Sequence, residues 1–260
     1  MSTPIRTRRP PPPLRRVEVV RAERRTPHLV RVTLGGPELE GFEPALPAAS
    51  VRLLLPRAGD LEIPEWGGNV FVHADGTRAG MRTLTPLGFD PDLLHLDLEI
   101  VLHGDGPLSA WAEAAAPGDP TAISGPGRGY AIDPADRSYL LAGDESALPA
   151  LSTLLAALPP EATVTVLVEV AHPDARLDLN GAEVRWLDQI AGEAPGERLV
   201  AAVREAEIAP DARVWAAGEA ASMQRIRKHL ADDRDHPRAQ CTVRGYWKHG
   251  RAGDDAEDSP

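Results

Sequence analysis

At 260 residues, 42% of them hydrophobic, the chain has room for one large domain or two of ordinary size with packed cores. A net charge of −11 argues against a general nucleic-acid binder, and no stretch approaches the roughly 20 apolar residues that cross a bilayer, so neither partnership is expected. The N-terminus lacks a secretory apolar core, and the single cysteine, Cys241, excludes an internal disulfide and a multi-cysteine metal site, which points to a reducing cytoplasm.

In chain order, residues 1–13 close on four consecutive prolines and read as an extended tail. Strands are predicted at Val17–Ala22, Leu29–Leu34 and Val51–Leu55, separated by Gly and Pro punctuation. Leu93–Leu102 alternates, with Leu94, Leu96, Leu98 and Ile100 on one side and His95, Asp97 and Glu99 on the other, as a half-buried antiparallel strand requires. Short strands with turn signals, and little helical pattern before Trp111, predict an N-terminal antiparallel six-stranded β-barrel over residues 14–132.

The texture then changes to alternating strands and helices. Strands at Tyr139–Ala142, Thr163–Val170, Val184–Leu187 and Arg213–Ala217 alternate with helices at Ala147–Leu158, Leu199–Ala206 and Ala220–Leu230. That alternation predicts a Rossmann-like α/β domain with a parallel sheet over residues 138–250. Residues 251–260 read as an acidic tail.

Two features of the first half carry chemistry. Met81-Arg82-Thr83-Leu84-Thr85-Pro86 sets an arginine beside two threonines at a strand end, and His103-Gly104-Asp105-Gly106-Pro107-Leu108-Ser109 is a glycine-rich turn opening a helix. Arg82 can pair with a diphosphate and the first amides of the helix can hold its oxygens, so together they suggest a flavin cradle. A surface ion pair for Arg82 and a plain turn for the glycines remain open at this level.

In the second half, Gly143-Asp144-Glu145-Ser146 and Gly218-Glu219 are strand-to-helix turns, where open α/β sheets bind ligands. Neither is a G-x-G-x-x-G fingerprint, and a helix cap by Asp144 or Ser146 explains part of the first without any ligand. Arg176, after the third apolar strand, is either a reader of a nucleotide 2′-phosphate or a solvated loop charge. Tyr246 and Trp247 either pack as core or cover the cofactor. His73, His95 and Trp66 have no spacing that argues for metal binding.

With these segments in order, the sequence resembles the siderophore-interacting proteins, a flavoprotein branch of the ferredoxin reductase superfamily. The likeness rests on Arg24-Arg25-Thr26-Pro27-His28, the Arg82–Thr85 element, Pro117-Gly118-Asp119, Leu141-Ala142-Gly143-Asp144-Glu145-Ser146-Ala147-Leu148-Pro149, Trp215-Ala216-Ala217-Gly218-Glu219 and Gly245-Tyr246-Trp247-Lys248. It implies an FAD-binding barrel, a C-terminal NAD(P)H-binding domain and reduction of cytoplasmic ferric siderophores. By the same resemblance Arg82, Thr83, Leu84, Thr85, His103, Gly104 and Ser109 hold FAD. The turns carrying Gly143, Asp144, Glu145 and Ser146 and Gly218 and Glu219 would then admit the nicotinamide nucleotide, and Trp247 is a further cofactor-binding candidate.

Two departures from the family pattern stand out. Leu84 replaces the usual aromatic residue and forgoes a stacking contribution of about 0.5 to 1.5 kcal/mol. The turn Gly125-Pro126-Gly127-Arg128-Gly129 is spaced differently from the usual Gly-Pro-Arg-Gly.

The flavin carries the electron transfer, so no catalytic side chain and no protein metal site is expected. An anionic ferric chelate needs cations, and Arg128, Arg244, Lys248 and Arg251 are the candidates. A monomer is expected, with a ferredoxin as the alternative donor. Two other functions stay open: a siderophore-binding protein with a weakened flavin site, and a general flavin or electron-carrier reductase.

Overall fold

The computed structural model describes residues 12–43, 46–57, 61–102 and 106–250. It divides into two compact units: one runs to Arg24 and from Val30 to Gly129, the other comprises Arg25 to Leu29 and the chain from Tyr130 onward. The expected tails lie almost wholly outside the described residues. Pro12 is described, and its carbonyl accepts the Ser124 hydroxyl.

The first unit contains β1 (Leu14–Thr26, whose last two residues count with the second unit), β2 (Leu29–Gly35), β3 (Val51–Leu54), β4 (Glu65–Trp66), β5 (Phe71–Val72), β6 (Met81–Leu84), β7 (Pro86–Asp90), β8 (His95–Val101), helix α1 (Pro107–Ala114) and β9 (Pro120–Ser124). Seven strands form one sheet in the order β6-β3-β9-β1-β2-β8-β7, antiparallel in the β1–β9, β3–β6, β3–β9 and β7–β8 pairings, while β4 and β5 make a separate hairpin.

The two edge strands of that sheet, β6 and β7, are separated in sequence by Thr85 alone. Laid flat, strands about 4.8 Å apart would put the edges nearly 30 Å from one another, far beyond the reach of a single residue. The sheet therefore curls until its edges meet, as an open barrel. The count is seven strands against the expected six, with Met81–Leu84 and Pro86–Asp90 on opposite edges either side of Thr85.

Inside the curl, Val17, Val19, Val32, Leu34, Leu53, Leu96, Leu98, Ile100 and Ile123 form the core, and Leu108, Trp111 and Ala112 of α1 pack against it. The predicted alternation of β8 holds from Leu96 onward, whereas Leu94 falls in the preceding turn with φ of 53°. The opposite side of β8 is not simply solvated. Thr33 Oγ1 donates to Asp97 Oδ1 at 2.6 Å, and Arg31 Nη2 lies 2.7 Å from Glu99 Oε1, with the Glu99 side chain only 5% exposed.

The second unit is a five-stranded parallel sheet in the order β12-β11-β10-β13-β14: β10 (Ser138–Asp144), β11 (Thr163–Val170), β12 (Val184–Asp188), β13 (Arg213–Glu219) and β14 (Cys241–Trp247). Its helices are α2 (Leu148–Ala157), α3 (Glu197–Glu205) and α4 (Ala220–Lys228). Leu140, Ala142, Leu167, Val214 and Ala216 face α3 and α4, meeting Leu199, Val203, Met223 and Ile226. Because every strand runs the same way, Asp144, Val170, Asp188, Glu219 and Trp247, their last residues, share one edge.

Glu99→Ala removes the buried partner of Arg31 and is expected to cost about 1.5 to 3 kcal/mol, the worth of a hydrogen bond to a charged group. A urea titration reads this as a lower midpoint at unchanged slope.

Candidate functional site

The sequence of β6 and its pairing with β3 put Arg82 and Leu84 on the core side of the barrel. Leu53 pairs with Arg82 and Val51 with Leu84, and paired residues share a face. Leu84 packs on the core cluster containing Val51 and Leu53. Arg82, half-buried on the edge strand, donates from Nη1 to the Met81 carbonyl at 3.0 Å. Thr83 on the opposite face is exposed, and Thr85 at the seam is buried. The predicted flavin element is thus the closing seam of the barrel.

Ser109 is buried in the first turn of α1, a helix entered through Gly106 with Pro107 at its start and no side-chain cap. His103 and Gly104 lie outside the described residues. Arg128 is exposed between two glycines that the fold itself requires: a Cβ on Gly127 would sit 2.6 Å from Ser50 Oγ, and one on Gly129 would sit 2.5 Å from Leu46 Cβ. The unusual spacing of this turn therefore lets the backbone press onto the Leu46–Ser50 segment while Arg128 points outward.

In the second unit, the carboxylate-rich turns serve the fold first. Asp144 Oδ1 accepts the Ser146 amide at 2.9 Å and the Ser146 hydroxyl. Its Oδ2 accepts the Glu219 amide at 2.9 Å and the Trp247 indole Nε1–H at 2.8 Å. Burial pushes the Asp144 carboxyl up from the ordinary carboxylate range, and these donors work against that rise.

Glu219 accepts the Ser222 amide at 2.9 Å, capping α4, and the His249 amide at 3.3 Å. Glu145, also held up by burial, accepts the Ala171 amide. The helix-cap reading of Asp144 is the observed one.

Gly143 and Gly218 are likewise explained inside the fold. A Cβ on Gly143 would meet Ala147 Cβ at 2.6 Å and the Ala217 carbonyl at 3.0 Å, and one on Gly218 would meet Asp144 Oδ2 at 2.5 Å. Arg176, offered above to a 2′-phosphate, pairs with Asp188 at 2.5 Å. Arg244 is half-buried on β14 and Lys248 exposed just after it, while Arg251 lies outside the described residues.

Glu169 escaped the sequence reading. It is 3% exposed, accepts the Gly196 amide at 2.6 Å and the Leu199 amide at 2.9 Å, and is pushed up by burial. A lone carboxylate in the apolar run Val166-Leu167-Val168-Glu169-Val170 was the available signal. Among the described residues no group of three or more His, Cys, Asp or Glu is placed to hold a metal ion.

Two family models match the chain one after the other: the siderophore-interacting FAD-binding domain over residues 18–130 and the siderophore-interacting protein over 136–250. The chain belongs to the siderophore-interacting protein family. It is 32% identical over 247 residues to the NADPH-dependent ferric-chelate reductase of Escherichia coli, covering 90% of this chain and 92% of that one. To the ferric vibriobactin reductase ViuB of Vibrio cholerae it is 29% identical over 247 residues, covering 91% and 90%. A siderophore utilization protein from T. fusca superposes with a TM-score of 0.81 at 34% identity, over 93% of this chain and 96% of that one.

In this siderophore-interacting protein the groups at the seam fit a flavin dinucleotide. The half-buried Arg82 guanidinium and the Thr85 hydroxyl at the seam, and separately the uncapped start of α1, are cation, O–H and N–H donors of the kind a diphosphate takes, and Leu84 supplies an apolar surface; Thr83 faces the other way and does not join them.

Gly218→Ala drives a methyl into Asp144 and is expected to destabilise the protein by about 1 to 3 kcal/mol, the usual cost of overpacking. Differential scanning calorimetry measures it as a lowered Tm.

Proposed function

We propose that this chain is an FAD-dependent ferric-siderophore reductase that draws electrons from NADH or NADPH and releases iron as Fe(II). The observation that carries the reading is the tandem of a barrel whose seam presents Arg82 to Thr85 and a parallel sheet whose strand ends share one edge, both inside matched family domains. The relatives named above as ferric-chelate and ferric vibriobactin reductases support the reaction class. When bound, the flavin converts the two electrons of a hydride into the single electrons that iron accepts.

The chain's own residues bind and position. Arg82 neutralises diphosphate charge, Thr85 offers a hydroxyl, and the first amides of α1 around Ser109 complete the anion site, while Thr83 on the opposite face takes no part. Leu84 covers the flavin ring by apolar contact alone, where an aromatic residue would add about 0.5 to 1.5 kcal/mol of stacking. In the second unit the Gly143–Ser146 and Gly218–Glu219 turns, with Trp247, receive the nicotinamide nucleotide. Asp144 contributes there through the shape of the turn, since its own oxygens are engaged.

The ferric chelate is the substrate. Hard oxygen ligands hold Fe(III) tightly and Fe(II) weakly, so reduction is a release step that needs no general acid or covalent nucleophile. A triscatecholate complex is polyanionic, and Arg128, Arg244 and Lys248 attract it. The protein acts as a monomer in the cytoplasm, and a reduced ferredoxin is the alternative donor. No described helix is long and apolar enough to cross a membrane.

The test is direct. Purified protein loaded with FAD and mixed anaerobically with NADH or NADPH should bleach near 450 nm and then reduce a ferric triscatecholate, read by a ferrous trap. Protein that takes up no flavin, or that bleaches without delivering electrons to iron, removes this reading.

Arg82→Ala is expected to weaken FAD by about 1.5 to 3 kcal/mol, a loss of roughly ten- to 150-fold in Kd. Leu84→Tyr should tighten FAD by about two- to tenfold through the added stacking. Equilibrium dialysis against FAD measures both.

A further inference from the structure

The parallel pairing of β13 with β14 runs residue for residue from Val214 with Cys241 to Gly218 with Gly245, and then Glu219 pairs with Trp247. Tyr246 is therefore an extra residue, a β-bulge. Side chains alternate along a strand, so Tyr246 falls on the Trp215 side of the sheet and Trp247 on the side of Gly245, which pairs with Gly218.

Asp144, next after the Gly143–Ala217 pair, lies on that same side, and the indole reaches it across a whole strand. Asp144 ends β10 and Trp247 ends β14, with β13 between them, yet Trp247 Nε1 donates to Asp144 Oδ2 at 2.8 Å. The bridge crosses at Gly218, the one place on β13 where a Cβ would collide with that oxygen, at 2.5 Å. The displaced Tyr246 packs edge-on against Trp215, with ring centroids 6.3 Å apart.

A side-chain-free strand end and a buried carboxylate thus coincide in fixing one indole. Burying a carboxylate is costly unless donors surround it, and Asp144 has four: the Ser146 amide and hydroxyl, the Glu219 amide and the indole. Only an acceptor-only group suits that set, since an asparagine would turn its own N–H bonds toward two of the donors. The indole's single donor is engaged inside the fold and its ring meets the His249 ring at 70°, with centroids 6.3 Å apart, so what the half-buried indole offers a ligand is its remaining π surface. It does so at the carboxyl end of the parallel strands, where open α/β sheets take their ligands.

We infer that Asp144 is a positioning residue for the nicotinamide nucleotide, acting through Trp247: its carboxylate holds the indole in the plane against which the nucleotide's planar ring docks. The inference deepens the reductase reading and rests on it. Asp144 touches neither flavin nor nucleotide in this role.

The test uses full-length protein and four forms: wild type, D144N, W247F and the double variant. In a nitrogen-edited NMR spectrum of the protein as purified, the Trp247 indole N–H, assigned by its absence in W247F, should stand downfield and exchange slowly. In D144N it should move upfield and exchange fast.

With NADH or NADPH as donor, W247F keeps an aromatic ring but loses the tether, and its donor KM should rise by about two- to tenfold, more than kcat falls. D144N should raise the donor KM by a similar factor. The double variant should be no worse than either single one, a non-additivity that a purely structural carboxylate would not produce.

Three results would overturn the inference: an indole signal unmoved in D144N, an unchanged donor KM in W247F, or effects that multiply in the double variant. If D144N does not fold, the W247F measurement decides alone. Wild-type protein that oxidises neither NADH nor NADPH overturns the reductase reading and this inference with it. Wild-type turnover with an unmoved W247F KM overturns this inference only.

Discussion

The connection through Thr85 constrains everything in the first unit. One residue joins the two edges of a seven-stranded sheet, so the sheet cannot lie flat and must curl around the Val32, Leu34, Leu53, Leu96 and Leu98 core. Curling removes most of the exposed edge that a free sheet would offer to aggregation. It also brings a strand edge, Arg82 and the Thr85 hydroxyl together along the seam. A flavin bound there would lie on the joint that holds the barrel shut, which ties cofactor retention to the integrity of the fold.

In the second unit the corresponding constraint is the carboxyl edge of the parallel sheet. Backbone amides of the following turns converge there, and an α/β protein commonly leaves them to a phosphate. Here Asp144, Glu169 and Glu219 take several of them instead, each buried and each accepting N–H donors from the chain. This explains why no G-x-G-x-x-G fingerprint is present. The turns are shaped by internal carboxylates, and the recognition left for a nucleotide falls on ring surfaces and on amides other than those already engaged.

Local pattern was legible in the sequence. The alternation Leu96, Leu98, Ile100, the β-branched run Thr163–Val170 and the apolar Leu148–Ala157 helix each declare themselves within a few residues, as does the change from barrel to α/β order. What stayed hidden depends on pairing between distant segments. Asp97 and Glu99 read as a solvated face because their partners, Thr33 and Arg31, lie on another strand. Arg176 read as a possible phosphate ligand because Asp188 reaches it only once β12 is laid beside β11. The bulge at Tyr246 has no local signature at all, since Gly245-Tyr246-Trp247 fits a regular strand equally well. The glycine at 218 was visible, but its reason, a carboxylate passing over it, required the neighbouring strand.

The net charge of −11 would by itself argue against a polyanionic substrate. The structure weakens that argument by showing where the carboxylates are. Glu99, Asp144, Glu169 and Glu219 are buried and surrounded by donors, and Asp136, Asp188 and Glu197 are paired with Arg213, Arg176 and Arg225. Charges satisfied within the fold contribute little to the field a ligand meets outside it, because opposite partners and oriented N–H dipoles cancel them at short range. What an approaching ferric chelate senses is set chiefly by side chains that reach solvent, as Arg128 and Lys248 do. Three of the eleven excess negative charges, on Asp144, Glu169 and Glu219, are thus placed where they hold turns together, and attraction of a polyanion falls to individual exposed cations, Arg128 on the first unit and Lys248 on the second, rather than to the chain's net charge.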